Sequence, residues 1–295
     1  MIKIALIGID TSHTVSYPEV IQGPKRALTG MRAISCLSFM TPFTNQKVID
    51  ERTAKLTELG VKVTKNLDEA LEGCDAIMLE INDGSYHLEY FRKVAALGKP
   101  VFLDKPLACS LADGRAILRL AAKHKTRVWS GSSIPFSPDV KHAKELVPDP
   151  RLSHIFGPLG IAPSGDSLIW YGVHVVETMQ RLMGPGAKSA RAIENDNGIT
   201  VVVDYGNERQ GLLEIVKKCG SYGGRVQGVC KGENRIHQFI CKPDKVEIMR
   251  QIKKFFNGGP APVSMQTTFE GLAVMIAARK SIETGRAERL AAAPC

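Results

Sequence analysis

The stretch Gly98-Lys99-Pro100-Val101-Phe102-Leu103-Asp104-Lys105-Pro106-Leu107 decides how this chain is read. Its apolar residues form a short buried strand, and a polar turn and a helix follow. An acid, a lysine and a proline at the carboxyl end of such a strand are not what packing alone selects. A lysine there points into the crevice where open α/β sheets hold their ligands. Burial or a neighbouring charge tunes such a lysine into a proton donor or acceptor. The plainer alternative is a solvated lysine closing a strand.

Outward from this stretch, the first 130 residues alternate strand and helix signals. That alternation implies a parallel sheet with crossover helices. Strands are expected at residues 3–9, 31–39, 61–64, 74–81, 101–103 and 127–130. Helices are expected at 45–59, stopped by Gly60, at 85–97, stopped by Gly98, and from a cap at Ser110 through Lys123. Asn66 with Glu69 three residues on has the form of a capping box.

Beyond Pro135 the pattern changes. A helix at 139–147 precedes a loop rich in proline and glycine. Strands then follow one another at 189–194, 200–205, 210–216, 225–231 and 235–241, with short turns at 206–207 and 232–234. Consecutive strands with short turns imply an antiparallel sheet and an α+β second domain. Helices at 245–256 and 268–284 close the chain. The expected division is residues 1–130 and 131–295.

Composition narrows the function classes. The chain has 295 residues, 23% charged and 44% hydrophobic, an ordinary globular balance. Its formal net charge of +9 is spread without a dense basic run, so a small anionic ligand such as a dinucleotide is favoured over nucleic acid. Seven cysteines at irregular positions contain no Cys-x-x-Cys, so neither a zinc site nor a disulfide framework is expected. No apolar run is long enough to span a bilayer, and Met1-Ile2-Lys3 leads straight into a strand. The expected compartment is the cytoplasm.

A strand entering glycine is the usual start of a dinucleotide site, whose fingerprint is G-x-G-x-x-G. Here the run is Gly8-Ile9-Asp10-Thr11-Ser12-His13. Gly8 is retained; Asp10 and His13 replace the other two glycines. An ionised Asp10 repels a phosphate at close range. Thr11 and Ser12 offer hydroxyls and backbone N–H groups to a phosphate; alternatively Asp10 or Ser12 caps the next helix. No acid stands between Glu19 and Asp50 to accept a ribose hydroxyl. Lys25, Arg26, Arg32 and Lys47 lie there instead, with Thr41 and Asn45 after the strand. That balance leans toward NADP over NAD.

The order of a nucleotide fold, the Asp104-Lys105-Pro106 segment and then Gly172-Val173-His174 resembles the Gfo/Idh/MocA oxidoreductases. Ser281-Ile282-Glu283-Thr284-Gly285-Arg286 is similar to the family's closing helix. The resemblance implies a Rossmann doubly wound parallel sheet joined to an α+β domain. That second domain would carry a large open, mainly antiparallel sheet, often used to form homodimers or homotetramers. It implies NAD(P) and hydride transfer on a sugar, cyclitol or related polyol. Lys105 matches the family's lysine near the nicotinamide, and Asp104 keeps the charge of the usual glutamate. His174 matches a common acid/base partner. Asn82, Asp83 and Gly84 stand at the family's Thr-Pro-Asn turn, followed by His87.

There are departures. Trp170 stands nearly where an acid is common, leaving an Asp–His–Lys arrangement incomplete. On a helix Glu177 lies one turn from His174 and would orient it, and Tyr171 is a further proton donor. Other roles stay open for several residues: His13 cofactor-facing or structural, His87 a site residue or a helix cap, His174 a core residue or a catalyst. Asp166 touches a polyol or forms a turn. Three functions remain: an NAD(P)-dependent polyol or sugar dehydrogenase, a lyase or epimerase with tightly held NAD, and a non-catalytic sugar- or nucleotide-binding relative.

Overall fold

The alternating pattern of the first 130 residues resolves into a six-stranded parallel sheet with the order β3-β2-β1-β4-β5-β6. The computed structural model describes residues 1–294 and divides into two units. The first unit comprises Met1–Ala108, Ala112–Gly131 and Lys245–Met265. Its strands are β1 (Ile2–Ile7), β2 (Met31–Leu37), β3 (Lys62–Thr64), β4 (Ala76–Leu79), β5 (Val101–Leu103) and β6 (Val128–Ser130). Its helices in chain order are α1 (His13–Gln22), α2 (Gln46–Glu58), α3 (Leu67–Leu71), α4 (His87–Val94) and α5 (Leu111–His124).

The central strands are buried on both faces, which explains their unbroken apolar runs: Ile4, Ala5, Ile7, Ile77, Leu79, Val101, Phe102 and Leu103 have no exposed surface. Because β2 and β4 flank β1 on opposite sides, the chain reverses its winding between β1 and β4. The loops leaving β1, β4 and β5 therefore border the crevice where such sheets bind ligands.

Side-chain caps start the helices where expected. The Asn45 side chain accepts from the Val48 amide at 3.1 Å, and that of Asn66 accepts from Asp68 and Glu69 amides. The capping box is completed differently from expectation. Glu69 accepts from the Thr64 hydroxyl, whose oxygen in turn accepts from the Asn66 amide.

The units are not divided by a single cut at residue 130. Helix α6 (Pro138–Leu146) opens the second unit, but α8 (Lys245–Phe256) clusters with the first. Its Ile248, Met249, Ile252 and Phe255 are buried. The Phe255 ring meets Trp129 edge-on at 6.1 Å, and the Arg127 guanidinium lies over it at 4.7 Å. Arg127 also donates to the carbonyls of Phe255 and Gly259.

The second unit holds residues 109–111, 132–244 and 266 onward. Its seven-stranded sheet has the order β12-β11-β7-β10-β9-β8-β13. The strands are β7 (Pro150–Pro158), β8 (Ser189–Asn195), β9 (Gly198–Gly206), β10 (Arg209–Val216), β11 (Tyr222–Cys230), β12 (Glu233–Cys241) and β13 (Glu288–Arg289). The expected mainly antiparallel sheet is present; only β7 and β10 pair in parallel.

β7 occupies what reads in sequence as a proline-rich loop. Its prolines sit at its two ends, where a missing N–H breaks the ladder least. Helix α7 (Ser167–Met183) covers the apolar stretch containing Gly172. A β-carbon at Gly172 would press against the terminal methyls of Leu168 and Ile215. Helix α9 (Met265–Thr284) completes the unit.

Candidate active site

In the first unit, the residues of interest gather at the carboxyl ends of β1, β4 and β5. Gly8 leaves β1 at φ +107°, a conformation side-chain-bearing residues rarely adopt, and a β-carbon there would collide with the Glu80 carbonyl. This close approach lets the loop turn sharply toward α1.

Asp10 faces inward. Its carboxylate accepts from the Thr41 hydroxyl at 2.7 Å and the Asn82 amide at 2.8 Å, so it ties the loops after β1, β2 and β4 together. Burial raises its pKa, and these hydrogen bonds oppose the rise. Arg52 on α2 donates to the Ile9 carbonyl at 2.7 Å. Thr11 is buried, and its hydroxyl accepts from the His13 amide. Ser12 is exposed at the start of α1, makes no side-chain cap, and no acid occupies the first turn.

His13 Nδ1 lies 3.1 and 3.0 Å from the two Asp104 carboxylate oxygens, and its ring stacks on Tyr17 at 4.7 Å. Asp104 is fully buried and also accepts from the Lys105 amide at 2.8 Å. Burial pushes its carboxyl up, but the charge and hydrogen bond of His13 and the charge of Lys105 hold it below the usual range. Lys105 is buried, and its Nζ lies 3.5 Å from Asn82 Oδ1. Beneath them Glu80 is fully buried, and neither carboxylate oxygen has a hydrogen-bond partner among the described residues. Burial and the charges of Asp104 and Asp10 raise its pKa well above the usual carboxylate value.

Two expected site residues have structural partners here. Asp83 caps the turn that follows it, accepting from the Ser85 amide and hydroxyl. His87 is fully buried, with Nε2 at 2.8 Å from the Ile81 carbonyl and Nδ1 at 3.2 Å from that of Leu107. It joins the loops after β4 and β5, so both ring nitrogens face the protein's own backbone.

In the second unit, Tyr171 and His174 lie on α7 with ring centroids 5.4 Å apart, and Tyr222 of β11 meets His174 at 5.6 Å. Trp170 packs edge-on against Tyr171. Burial, and then Tyr171 as charge and hydrogen-bond partner, raise the Tyr222 hydroxyl so that it stays neutral. Gly157 makes room for the Tyr222 ring. Glu177, expected to orient His174, accepts from the Ser132 amide at 2.8 Å. Asp166 caps α7 through the Leu168 amide and pairs with Arg279 at 2.7 and 2.9 Å; its role is in the turn.

Sequence reading missed Glu80, which reads as part of a strand end, and Tyr222, which has no motif. The unusual signal for Glu80 is a charged residue closing the apolar run 76–79.

The residues fit a dinucleotide. Gly8 permits the turn, Ser12 leaves the α1 amides uncovered by a side chain, and the Asp10 charge is engaged by the protein. Comparison with known proteins agrees. Residues 2–132 match the family described as "Oxidoreductase family, NAD-binding Rossmann fold".

An uncharacterized oxidoreductase of Streptococcus pneumoniae serotype 4 is 27% identical over 224 residues, 65% of this chain and 61% of that protein. The chain thus spans about three-fifths of the length of this relative. A crystal structure of a putative myo-inositol dehydrogenase from Sinorhizobium meliloti superposes with TM-score 0.79 at 15% identity, covering 99% of this chain and 100% of that one. The scyllo-inositol dehydrogenase of Lactobacillus casei, with bound NAD(H) and scyllo-inositol, gives 0.77 at 14%, covering 98% and 99%. At such identities the likeness speaks for the fold.

Proposed function

We propose that this chain, whose residues 2–132 match the Gfo/Idh/MocA oxidoreductase family, is an NAD(P)-dependent dehydrogenase acting on a CH–OH group of a polyol, sugar or cyclitol. The observation that carries the reading is Lys105, buried at the end of β5 with Asp104 and Asn82 about it. Burial of a lysine at the crevice of a doubly wound sheet supports a role in proton transfer.

When bound, the nicotinamide ring supplies the hydride chemistry. Lys105 Nζ handles the hydroxyl proton of the substrate, with Asn82 Oδ1 fixing its position. Asp104 holds the Lys105 backbone by accepting from its amide. Within the second unit, Tyr171 and His174, with Tyr222 against His174, are candidate proton-handling groups. Gly8, Thr11, Ser12 and His13 would hold the phosphates of the cofactor.

The absence of an acid at the end of β2, with Lys47 in the first turn of the following helix, supports a preference for NADP. A polyol substrate is in keeping with the scyllo-inositol held by the L. casei neighbour. The exposed Ile193, Ile236 and Ile240 on β8 and β12 support self-association through the second sheet. The buried thiols of Cys36, Cys74 and Cys241 suit a cytoplasmic location.

Titration with NADH and NADPH, followed by reduced-nicotinamide fluorescence and thermal stability, tests the reading. Saturable binding of either, tighter for NADPH, is expected, followed by turnover in a screen of polyols. No binding at millimolar concentration, in protein free of retained nucleotide, overturns it. Binding without turnover identifies a non-catalytic relative, and nucleotide that survives purification with no net oxidation points to a lyase or epimerase.

A further inference from the structure

From the loop ends of three neighbouring strands, the geometry points to a divalent transition-metal site formed by His13, Glu80 and Asp104, suited to Zn2+. Each residue presents one ligand atom, and these atoms lie within 4.8 Å of one another. Tetrahedral zinc with bonds of roughly 2.0–2.2 Å holds its ligand atoms about 3.3–3.6 Å apart, so the widest pair closes by roughly an ångström.

Two observations separate this cluster from an ordinary group of acids. Glu80 is fully buried, and both its oxygens are without a hydrogen-bond partner among the described residues, although the group is aimed at Asp104 and His13. A buried acid whose polar atoms have no partner is costly, and a bound cation beside Glu80 would remove that cost. Second, the ligands are already oriented from behind. Asp104 is held by the Lys105 amide, and the His13 ring is fixed against Tyr17. Such support of ligands by neighbouring groups is the rule at metal sites.

One imidazole and two carboxylates are nitrogen and oxygen donors of the kinds zinc takes, and the imidazole favours it over magnesium, which prefers oxygen donors and several waters. The His13 side chain is 16% exposed, giving the cluster an edge toward solvent. A zinc ion here would fasten α1 to the ends of β4 and β5. The inference does not depend on the dehydrogenase reading.

The full chain, stripped with a chelator, is titrated with ZnCl2 by calorimetry, and its metal content is measured after gel filtration. One zinc per chain is expected, with at least about tenfold preference over Mg2+. Glu80→Gln keeps the volume and removes the ligand charge; it should weaken zinc binding about a hundredfold or more. His142→Gln, at a histidine outside the cluster, should leave binding unchanged.

Absence of zinc from the wild-type protein overturns the site. Equal affinity in Glu80→Gln and wild type does so too, and shows an adventitious ion only. Should Glu80→Gln fail to fold by circular dichroism, the partly exposed His13→Gln decides by the same readout. Both assays are run without nucleotide, so their failure is distinguishable from failure to bind NAD(P)H.

Discussion

His13 Nδ1 lies 3.0 Å from Oδ2 of Asp104 and joins the first turn of α1 to the end of β5, across 91 residues of chain. This contact turns a lost glycine into a structural element. The residue that replaces the third glycine of the fingerprint binds the acid that precedes Lys105. The amino-terminal loop and the lysine motif are therefore one assembly, and substitutions in either are felt by the other.

Lys105→Ala should lower kcat by about a hundredfold to ten-thousandfold while the fold is kept, because the group removed handles the proton and its neighbours Asp104 and Asn82 remain. Steady-state kinetics on the polyol found by screening, with circular dichroism as control, measures this. Wild-type turnover in the variant would rule out the role.

Asp10 predicts a pH dependence. Burial raises its folded-state pKa, so the folded chain holds that proton to higher pH than the unfolded one. The stability it contributes is fully present below about pH 4 and is lost as pH rises through the raised folded value. Asp10→Asn has no such proton to lose. Urea denaturation at pH 4 and pH 7 should show a smaller decline for the variant than for wild type; parallel declines would exclude the argument.

Phe255→Ala should cost about 3–5 kcal/mol in chemical denaturation, the usual loss for a buried aromatic ring. Phe255 is buried against Trp129 and beneath Arg127, and with Ile248, Met249 and Ile252 it anchors α8 in the first unit. A change below about 1 kcal/mol would show that α8 contributes little to that unit.

At Gly157 an added β-carbon would lie 2.6 Å from the Tyr222 ring. Gly157→Ala should therefore push Tyr222 out of contact with His174 and destabilise the second unit by about 1–3 kcal/mol. A crystal structure of the variant with Tyr222 unmoved would contradict this packing account.

Much of the first unit was legible from local chemistry. The runs Ile4–Ile7, Ala76–Leu79 and Val101–Leu103 are apolar because both faces of a parallel strand are buried, and that requirement is written in consecutive residues. Caps at Asn45 and Asn66 act over two or three residues and were equally readable. The Asp104-Lys105-Pro106 motif and its strand placed the crevice.

What the sequence by itself determined is thus the strand–helix alternation, the two kinds of sheet and the identity of the lysine. Tertiary structure alone decided the rest. β7 was hidden because its prolines obscure a strand whose place is set by partners β10 and β11, far along the chain. The attachment of α8 depends on Trp129 and Arg127, which no local pattern links to Phe255. The inward turn of Asp10, the burial of Glu80 and the bond between His13 and Asp104 follow from which loops the sheet order brings side by side. Burial and charge compensation act through space, whereas periodicity and capping act along the chain.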